Sequence, residues 1–420
     1  MEVEIPYGRE NIKIKINESH EILTPNVVTI KDADQVIRNA LDNPINTIPF
    51  EEFIQNAKKL LIIVNDATRP TPTKQVLKFL YPILSKHPKI KFLIATGVHR
   101  TPTEEEYNFI FGEYYNVFKD KIYAHDSRNN DAMEYLGKSK NGTEMFINKL
   151  VTEMENVIVI GSVEPHYFAG YTGGRKSFLP GVASYKTIEM NHKLALSDEA
   201  CSLSLKKNPV NEDMIDAMNV LKNVNIFSIQ TILTAEHNIY AVTAGDLIKS
   251  FDAAIEYANE VFCVTIKKRG NIVISAAPFP MDIDLYQSQK ALDNGNLALE
   301  EGGVIIVVSK CHDGVGEKQF LDLLSRAETS KQVFEILDVE YKLGYHKAAK
   351  MAKVGIRGEM WMVSDLDDDI IEKAKLKPYN SIQNALDSAI HLIKLKGKKP
   401  HIIIMPAGSL TIPKLIPDKK

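Results

Sequence analysis

The sequence predicts an α/β protein of two domains, each built on a mostly parallel open sheet. Three observations predict this. Wholly apolar runs such as Leu60–Val64 and Val304–Val308 have the length and composition of strands buried on both faces. Segments with apolar residues at helical spacing lie between such runs, and that alternation marks a parallel sheet with crossover helices. The chain has 420 residues, room for two or three domains at roughly 150 residues each.

In chain order, Glu2–Ile5 and Asn11–Ile16 read as two strands around a turn at Tyr7-Gly8-Arg9-Glu10, the second by its apolar/polar alternation. A helix over Asp32–Leu41 ends before Pro44. Leu60–Val64 is a buried strand, Thr73–Leu84 a helix, Ile90–Ala95 a strand, and a helix opens near Thr103. Strands follow at Val157–Ile160, Ile226–Ile232 and Phe262–Ile266, with helices at Val210–Leu221 and Asp246–Ala258. A second α/β run has strands at Ile272–Ser275, Val304–Val308, Glu359–Val363 and His401–Met405. Its helices are Tyr286–Leu299 (weak at Gly295), Glu317–Leu324, Ser330–Leu337 and Ser381–Lys394. The polar stretch Lys267-Lys268-Arg269-Gly270-Asn271 separates the two runs, which predicts an N-terminal domain over 1–268 and a C-terminal domain over 269–420.

Apolar residues make up 44% and charged residues 25%, so the chain can bury a large core and wholesale disorder is excluded. A formal net charge of −3 gives no electrostatic reason to expect nucleic acid or an anionic membrane as the partner. Cys201, Cys263 and Cys311 are far apart and form no disulfide framework, which fits a reducing compartment. The start, Met1-Glu2-Val3-Glu4, is acidic and lacks a signal-peptide core, and the apolar runs are too short to cross a bilayer. These features predict a cytoplasmic protein.

In open parallel sheets, ligands bind at the carboxyl ends of strands. Three strand ends carry polar groups. In the first, Asn65-Asp66-Ala67-Thr68-Arg69-Pro70, Arg69 lies on a stiff loop, with Thr71 or Thr73 expected to cap the next helix. A guanidinium there suits a carboxylate or phosphate, or else pairs with Asp66 as a structural bridge. In the second, Thr96-Gly97-Val98-His99-Arg100, His99 follows the strand at once, and Thr103-x-x-Glu106 reads as a capping box. Imidazole titrates near neutrality, which suits acid/base work, although a lone histidine is more often structural.

The third runs from Gly161 to Gly181 and holds Glu164-Pro165-His166 and Gly173-Gly174-Arg175-Lys176. Glycines allow close backbone approach, and N–H groups with two cations make an anion cradle; a tight turn is the plainer reading. The spacing is neither that of a Walker loop nor G-x-G-x-x-G. His192 follows on an expected helix, where it is a further imidazole or an ordinary helix-surface histidine. No zinc spacing is present. Lys176 beside Arg175 is a candidate amine nucleophile, so a Schiff-base lyase stays open, as does a non-catalytic binder of phosphorylated ligands.

These segments together resemble the nickel-dependent lactate racemase family of 2-hydroxyacid racemases and epimerases. The resemblance continues in Asn191-His192, Tyr286-Gln287-Ser288-Gln289-Lys290, Gly302-Gly303-Val304-Ile305-Ile306 and Asp313-Gly314. It implies reversible hydride transfer to a nickel-pincer nucleotide, a pyridinium-3-thioamide-5-thiocarboxylic acid mononucleotide attached to Lys176. It further implies an active site in the cleft between the domains, with His192 as the nickel ligand and His99 and His166 as the acid/base pair. Arg69, Tyr286, Gln287 and Lys290 would bind the 2-hydroxy acid. Asp66, Gly173, Gly174 and Arg175 would lie near the cofactor's ribose or phosphate. The α-hydrogen of such an acid leaves more easily as hydride while a histidine takes the hydroxyl proton, and its return to the other face of a planar keto acid inverts the centre. Proteins that make the cofactor are implied as maturation partners, and the oligomeric state is open, a homodimer among the options. Trp361, the sole tryptophan, has either a core or a pocket-wall role.

Overall fold

The computed structural model describes residues 1–416. The chain forms two compact α/β units, residues 27–261 and residues 1–26 with 262–416. This differs from the division after residue 268 read from the sequence. The first residues belong with the last because Ser19–Ile22 pairs in parallel with His401–Met405, His20 opposite Ile402. The strand Cys263–Ile266 likewise pairs with Ile412–Leu415, far down the chain. Hydrogen bonding across long sequence separations thus sets the units.

In the unit of residues 27–261, six strands form one sheet. Asn156–Ser162 lies beside Leu60–Asn65, which is followed outward by Ile90–Ala95 and Ile122–Ala124, all parallel. On the other side, Asn225–Leu233 pairs in parallel with Asn156–Ser162, and Ile239–Gly245 closes the edge antiparallel. The apolar runs are strands for a physical reason. Both faces are covered, so every side chain of Leu60–Val64 and Val157–Ile160 is buried. Val76, Leu77, Leu80 and Leu84 line one face of helix Thr73–Leu84 and pack on Ile62, Val64 and Phe92 in a single core. The expected capping box is present: Thr103 Oγ1 accepts the Glu106 N–H and Glu106 accepts the Thr103 N–H. The other cap is not. Helix Thr73–Leu84 starts after Pro72 with no side-chain cap, and Thr71 turns inward instead.

In the other unit a second sheet is wholly parallel, in the order Lys377–Tyr379, Glu359–Val363, Leu299–Val308, Gly270–Ala276, His401–Met405, Ser19–Ile22. The expected hairpin is present, Glu2–Tyr7 paired with Glu10–Lys15. Trp361 is a core residue. It is buried and stacks on Tyr379 across neighbouring strands, ring centroids 4.8 Å apart. The helix Tyr345–Arg357 had no sequence signal strong enough to predict it. Its contact face is made of small residues, Ala348, Ala349 and Ala352, beside Met351.

Candidate active site

The polar strand ends converge where the strand order of the first sheet reverses. From Leu60–Asn65 the chain runs outward through Ile90–Ala95 and Ile122–Ala124, then returns to the opposite side at Asn156–Ser162. Loops leaving Leu60–Asn65 and Asn156–Ser162 therefore diverge and open a crevice at their carboxyl ends. The pocket there is lined by Asn65, Asp66, Arg69, Thr96, Gly97, His99, Ser162, Thr172, Gly173 and Lys176, among others. It encloses about 510 Å³ of empty space, a figure that includes the part open to solvent. Thr71 ties the two strand ends together, its Oγ1 lying 2.9 Å from Asn65 Oδ1 and 3.0 Å from Ser162 Oγ.

Asp66 and His99 form a pair. His99 Nδ1 is 2.7 Å from Asp66 Oδ2, and Thr68 Oγ1 donates to Asp66 Oδ1 at 2.6 Å. Burial pushes the Asp66 carboxyl up, but the His99 hydrogen bond and charge, the Thr68 hydroxyl and the Arg69 charge outweigh it and hold the group below the usual carboxylate range. An ionised Asp66 only accepts, so His99 presents an N–H on Nδ1 to it and turns its Nε2 away from Asp66. The imidazole is half exposed. Asp66 thus orients a histidine, a partner the sequence reading did not give it.

Arg69 does not bridge to Asp66. Its nearest anion is Glu164, with Nη1 to Oε1 at 3.7 Å, and its guanidinium donates no hydrogen bond to any described residue. The planar fork is therefore open to a carboxylate.

The Gly161–Gly181 segment folds back on itself. Pro165–His166 pairs antiparallel with Gly170–Tyr171. Gly170 has φ +79°, and a Cβ there would meet Ser204 O at 2.3 Å, so only glycine fits. The expected anion cradle is not open. Gly174 N–H donates to Gln230 Oε1 and Lys176 N–H to Gly173 O. Arg175 points away from the pocket into the protein. Its guanidinium is buried over the Phe251 ring at 4.3 Å and bonds Asn211 Oδ1 and Ala169 O. Burial lowers it to about 9. Gly174 and Arg175 do not line the pocket, whereas Gly173 and Lys176 do.

His166, Phe168, Lys176 and His192 form a second group. The His166 ring stands edge-on to Phe168, centroids 4.6 Å apart, and Ala169 N–H donates to His166 Nδ1 at 3.3 Å, which leaves the ring proton on Nε2. Phe168 also carries His192 at 5.1 Å and the Lys176 ammonium at 5.5 Å from its ring centroid. Burial, with the Lys176 charge nearby, pulls His192 down to about 3, so its imidazole is neutral at pH 7. Its Nδ1 lies 3.2 Å from Asn191 Oδ1, and the ring also bonds the Ile188 backbone. His192 sits in the last turn of helix Tyr185–Lys193, which Ser184 caps. Among the described residues, no three or more His, Cys, Asp or Glu side chains form a group able to hold a metal ion.

Tyr286, Gln287 and Lys290 belong to the other unit, on the first turns of helix Leu285–Leu297. Asp284 caps that helix by accepting the Gln287 N–H at 2.6 Å. Tyr286 and Lys290, four apart, share one face. The buried Lys347 places its ammonium 3.5 Å from the Tyr286 ring centroid and donates to Tyr286 O; burial raises the phenol well above its ordinary value. Lys347 lies outside every motif of the sequence, and Asn65, Thr96 and Ser162 were assigned no roles there. The latter three could have been found from strand-end position alone.

No helix among the described residues is long and apolar enough to cross a membrane. Residues 7–203 match the model of the lactate racemase N-terminal domain and residues 265–412 that of its C-terminal domain. The chain is 31% identical to the lactate racemase of Thermoanaerobacterium thermosaccharolyticum over 97% of both chains. It is 28% identical to that of Lactiplantibacillus plantarum over 97% of this chain and 98% of the other. The lactate racemase apoprotein structure from T. thermosaccharolyticum superposes with a TM-score of 0.90 at 30% identity, covering 99% of this chain and all of that one. A Thermotoga maritima protein, 16% identical with a TM-score of 0.68, shares the fold over 91% of this chain and 98% of its own.

Proposed function

The chain belongs to the lactate racemase family and is an isomerase, a racemase; from that premise we propose that it interconverts the enantiomers of lactate or a close 2-hydroxy acid in the pocket at the strand-order reversal. The observation that carries the reading is the convergence of Arg69, His99 and Lys176 on that one pocket. Arg69 takes the substrate carboxylate bidentately through its open fork. His99, fixed by Asp66 through Nδ1, accepts the hydroxyl proton on Nε2 as the α-hydrogen leaves. His166, whose Nε2 carries the ring proton, donates to the substrate oxygen in its other orientation.

The nickel-pincer nucleotide, once bound, would supply the hydride acceptor. Two features support its fit. Lys176 brings an amine to the pocket wall, where it can be joined covalently. His192 offers a neutral imidazole against the same phenylalanine that Lys176 covers, the form of histidine that ligates a metal. A metal held by His192 would take its remaining donors from the cofactor. On this reading the protein works in the cytoplasm and depends on the proteins that make its cofactor.

The test is incubation of the cofactor-loaded protein with D-lactate and L-lactate separately, following optical purity. Both should converge on the racemate, with nickel present and added mass on Lys176. Loaded protein that leaves both enantiomers intact overturns the proposal.

A further inference from the structure

We propose that Glu164 is a specificity-determining residue, whose carboxylate restricts the pocket to 2-hydroxy acids with a single negative charge and rejects 2-hydroxy diacids. The inference rests on the reading that Arg69 holds the substrate carboxylate. Glu164 lies two residues past the strand Asn156–Ser162, and its backbone is clamped at both ends of the residue. Thr172 N–H donates to Glu164 O at 2.8 Å, and Glu164 N–H donates to Thr172 Oγ1 at 2.9 Å. Thr172 Oγ1 in turn donates to Ser162 O at 2.9 Å, and both Thr172 and Ser162 line the pocket. The side chain thus leaves a fixed point at the pocket's edge.

Its carboxylate has one charged neighbour among the described residues, Arg69 at 3.7 Å, and accepts no hydrogen bond from any of them. A buried structural bridge would bring the two groups into hydrogen-bond contact. Here both are about a quarter exposed, and the guanidinium keeps its donors. Glu164 therefore offsets part of the Arg69 charge without occupying its fork. Asp66, a carboxylate that lines the pocket, is already satisfied by His99 and Thr68.

A monoanionic substrate needs only that fork. A second carboxylate on the next carbon would lie within a few ångströms of the Glu164 and Asp66 carboxylates, in a partly desolvated pocket. Like charges at such distances repel strongly, and a repulsive element of this kind discriminates as effectively as an attractive one.

The experiment compares kcat/KM for lactate and malate in cofactor-loaded wild-type, E164Q, E164A and E164D proteins. Wild type and E164D should favour lactate, while both neutral variants should raise the malate-to-lactate ratio about tenfold or more, the scale of one charge contact removed. E164A guards against a fault peculiar to glutamine, and thermal melting reports whether each variant folds. If wild type turns over lactate and the ratio stays within about twofold in folded E164Q and E164A, the inference fails while the racemase reading stands. If E164D loses discrimination along with them, charge is not the cause and the inference fails. If wild type acts on neither acid, the underlying reading fails first.

Discussion

His99 Nδ1 lies 2.7 Å from Asp66 Oδ2, although 33 residues separate them in the chain. The pair exists because Leu60–Asn65 and Ile90–Ala95 are parallel neighbours, so the loops that follow them leave the sheet side by side. Asp66→Asn removes the anion that fixes the His99 tautomer, and an amide in its place can donate to Nδ1 and turn the lone pair away from the pocket. We expect kcat for lactate to fall about a hundredfold, with KM changed by no more than about threefold. Steady-state kinetics on the loaded variant, with thermal melting to verify folding, check this. A proportionate rise in KM instead would assign Asp66 to substrate binding.

That pairing shows where sequence reading stopped. Leu60–Val64 and Val304–Val308 announce themselves because a strand covered on both faces must be apolar throughout. Ser19–Ile22 carries His20 and Glu21 on a sheet edge, half exposed, and has no such signature. Ile239–Gly245 closes the opposite sheet and also went unread, its apolar residues being interrupted by Thr243 and Gly245. At the site, Arg69, His99 and Lys176 were legible as polar residues just past buried strands or in a glycine-rich turn. Which residue each one touches was not. Arg175 and Lys176 are adjacent cations in one turn, and only the packing on Phe251 decides that the first turns inward. Partner choice depends on long-range pairing that no local pattern encodes.

Arg69→Lys keeps the charge but loses the fork. The ammonium is a point charge that cannot grip a carboxylate through two parallel bonds. KM for lactate should rise about tenfold or more with a smaller change in kcat, a loss of binding felt equally before and during reaction. Equal KM in wild type and variant would remove Arg69 from the substrate contacts.

Arg175→Met tests the structural assignment of that residue. Methionine fills much of the space against Phe251 but leaves Asn211 Oδ1 and Ala169 O without their donor. Each buried acceptor left unpaired costs about 1–3 kcal/mol, so stability should drop by about 2–5 kcal/mol in urea denaturation. Because the guanidinium is away from the pocket, specific activity per loaded, folded molecule should stay within about tenfold. A stable variant that no longer retains cofactor would return Arg175 to the cofactor site.

His125 gives the fold an acid-sensitive point outside the catalytic groups. It is buried at the end of the strand Ile122–Ala124, and its Nε2 donates to Ala183 O at 2.9 Å. Asn148 Nδ2 donates to its Nδ1 at 3.1 Å, and Thr96 Oγ1 bonds its backbone carbonyl at 2.5 Å. Those contacts hold the chain just ahead of Ser184, the cap of the helix that carries His192. Burial lowers the His125 imidazole from 6.5 to about 4, and a proton on Nδ1 would face the Asn148 amide. The unfolded chain therefore binds this proton more readily than the folded one. The contribution of a neutral His125 is fully present above pH 6.5 and is lost as the pH falls from there towards 4, by on the order of 3 kcal/mol. In His125→Gln, which keeps hydrogen-bonding groups but does not titrate, the pH dependence of stability should be shallower across that window. Urea unfolding of both proteins between pH 7 and pH 4 measures the difference, which should be greatest at neutral pH and close as the medium becomes acid. Parallel curves would mean that His125 is no more reluctant to take a proton in the folded protein than in the unfolded chain.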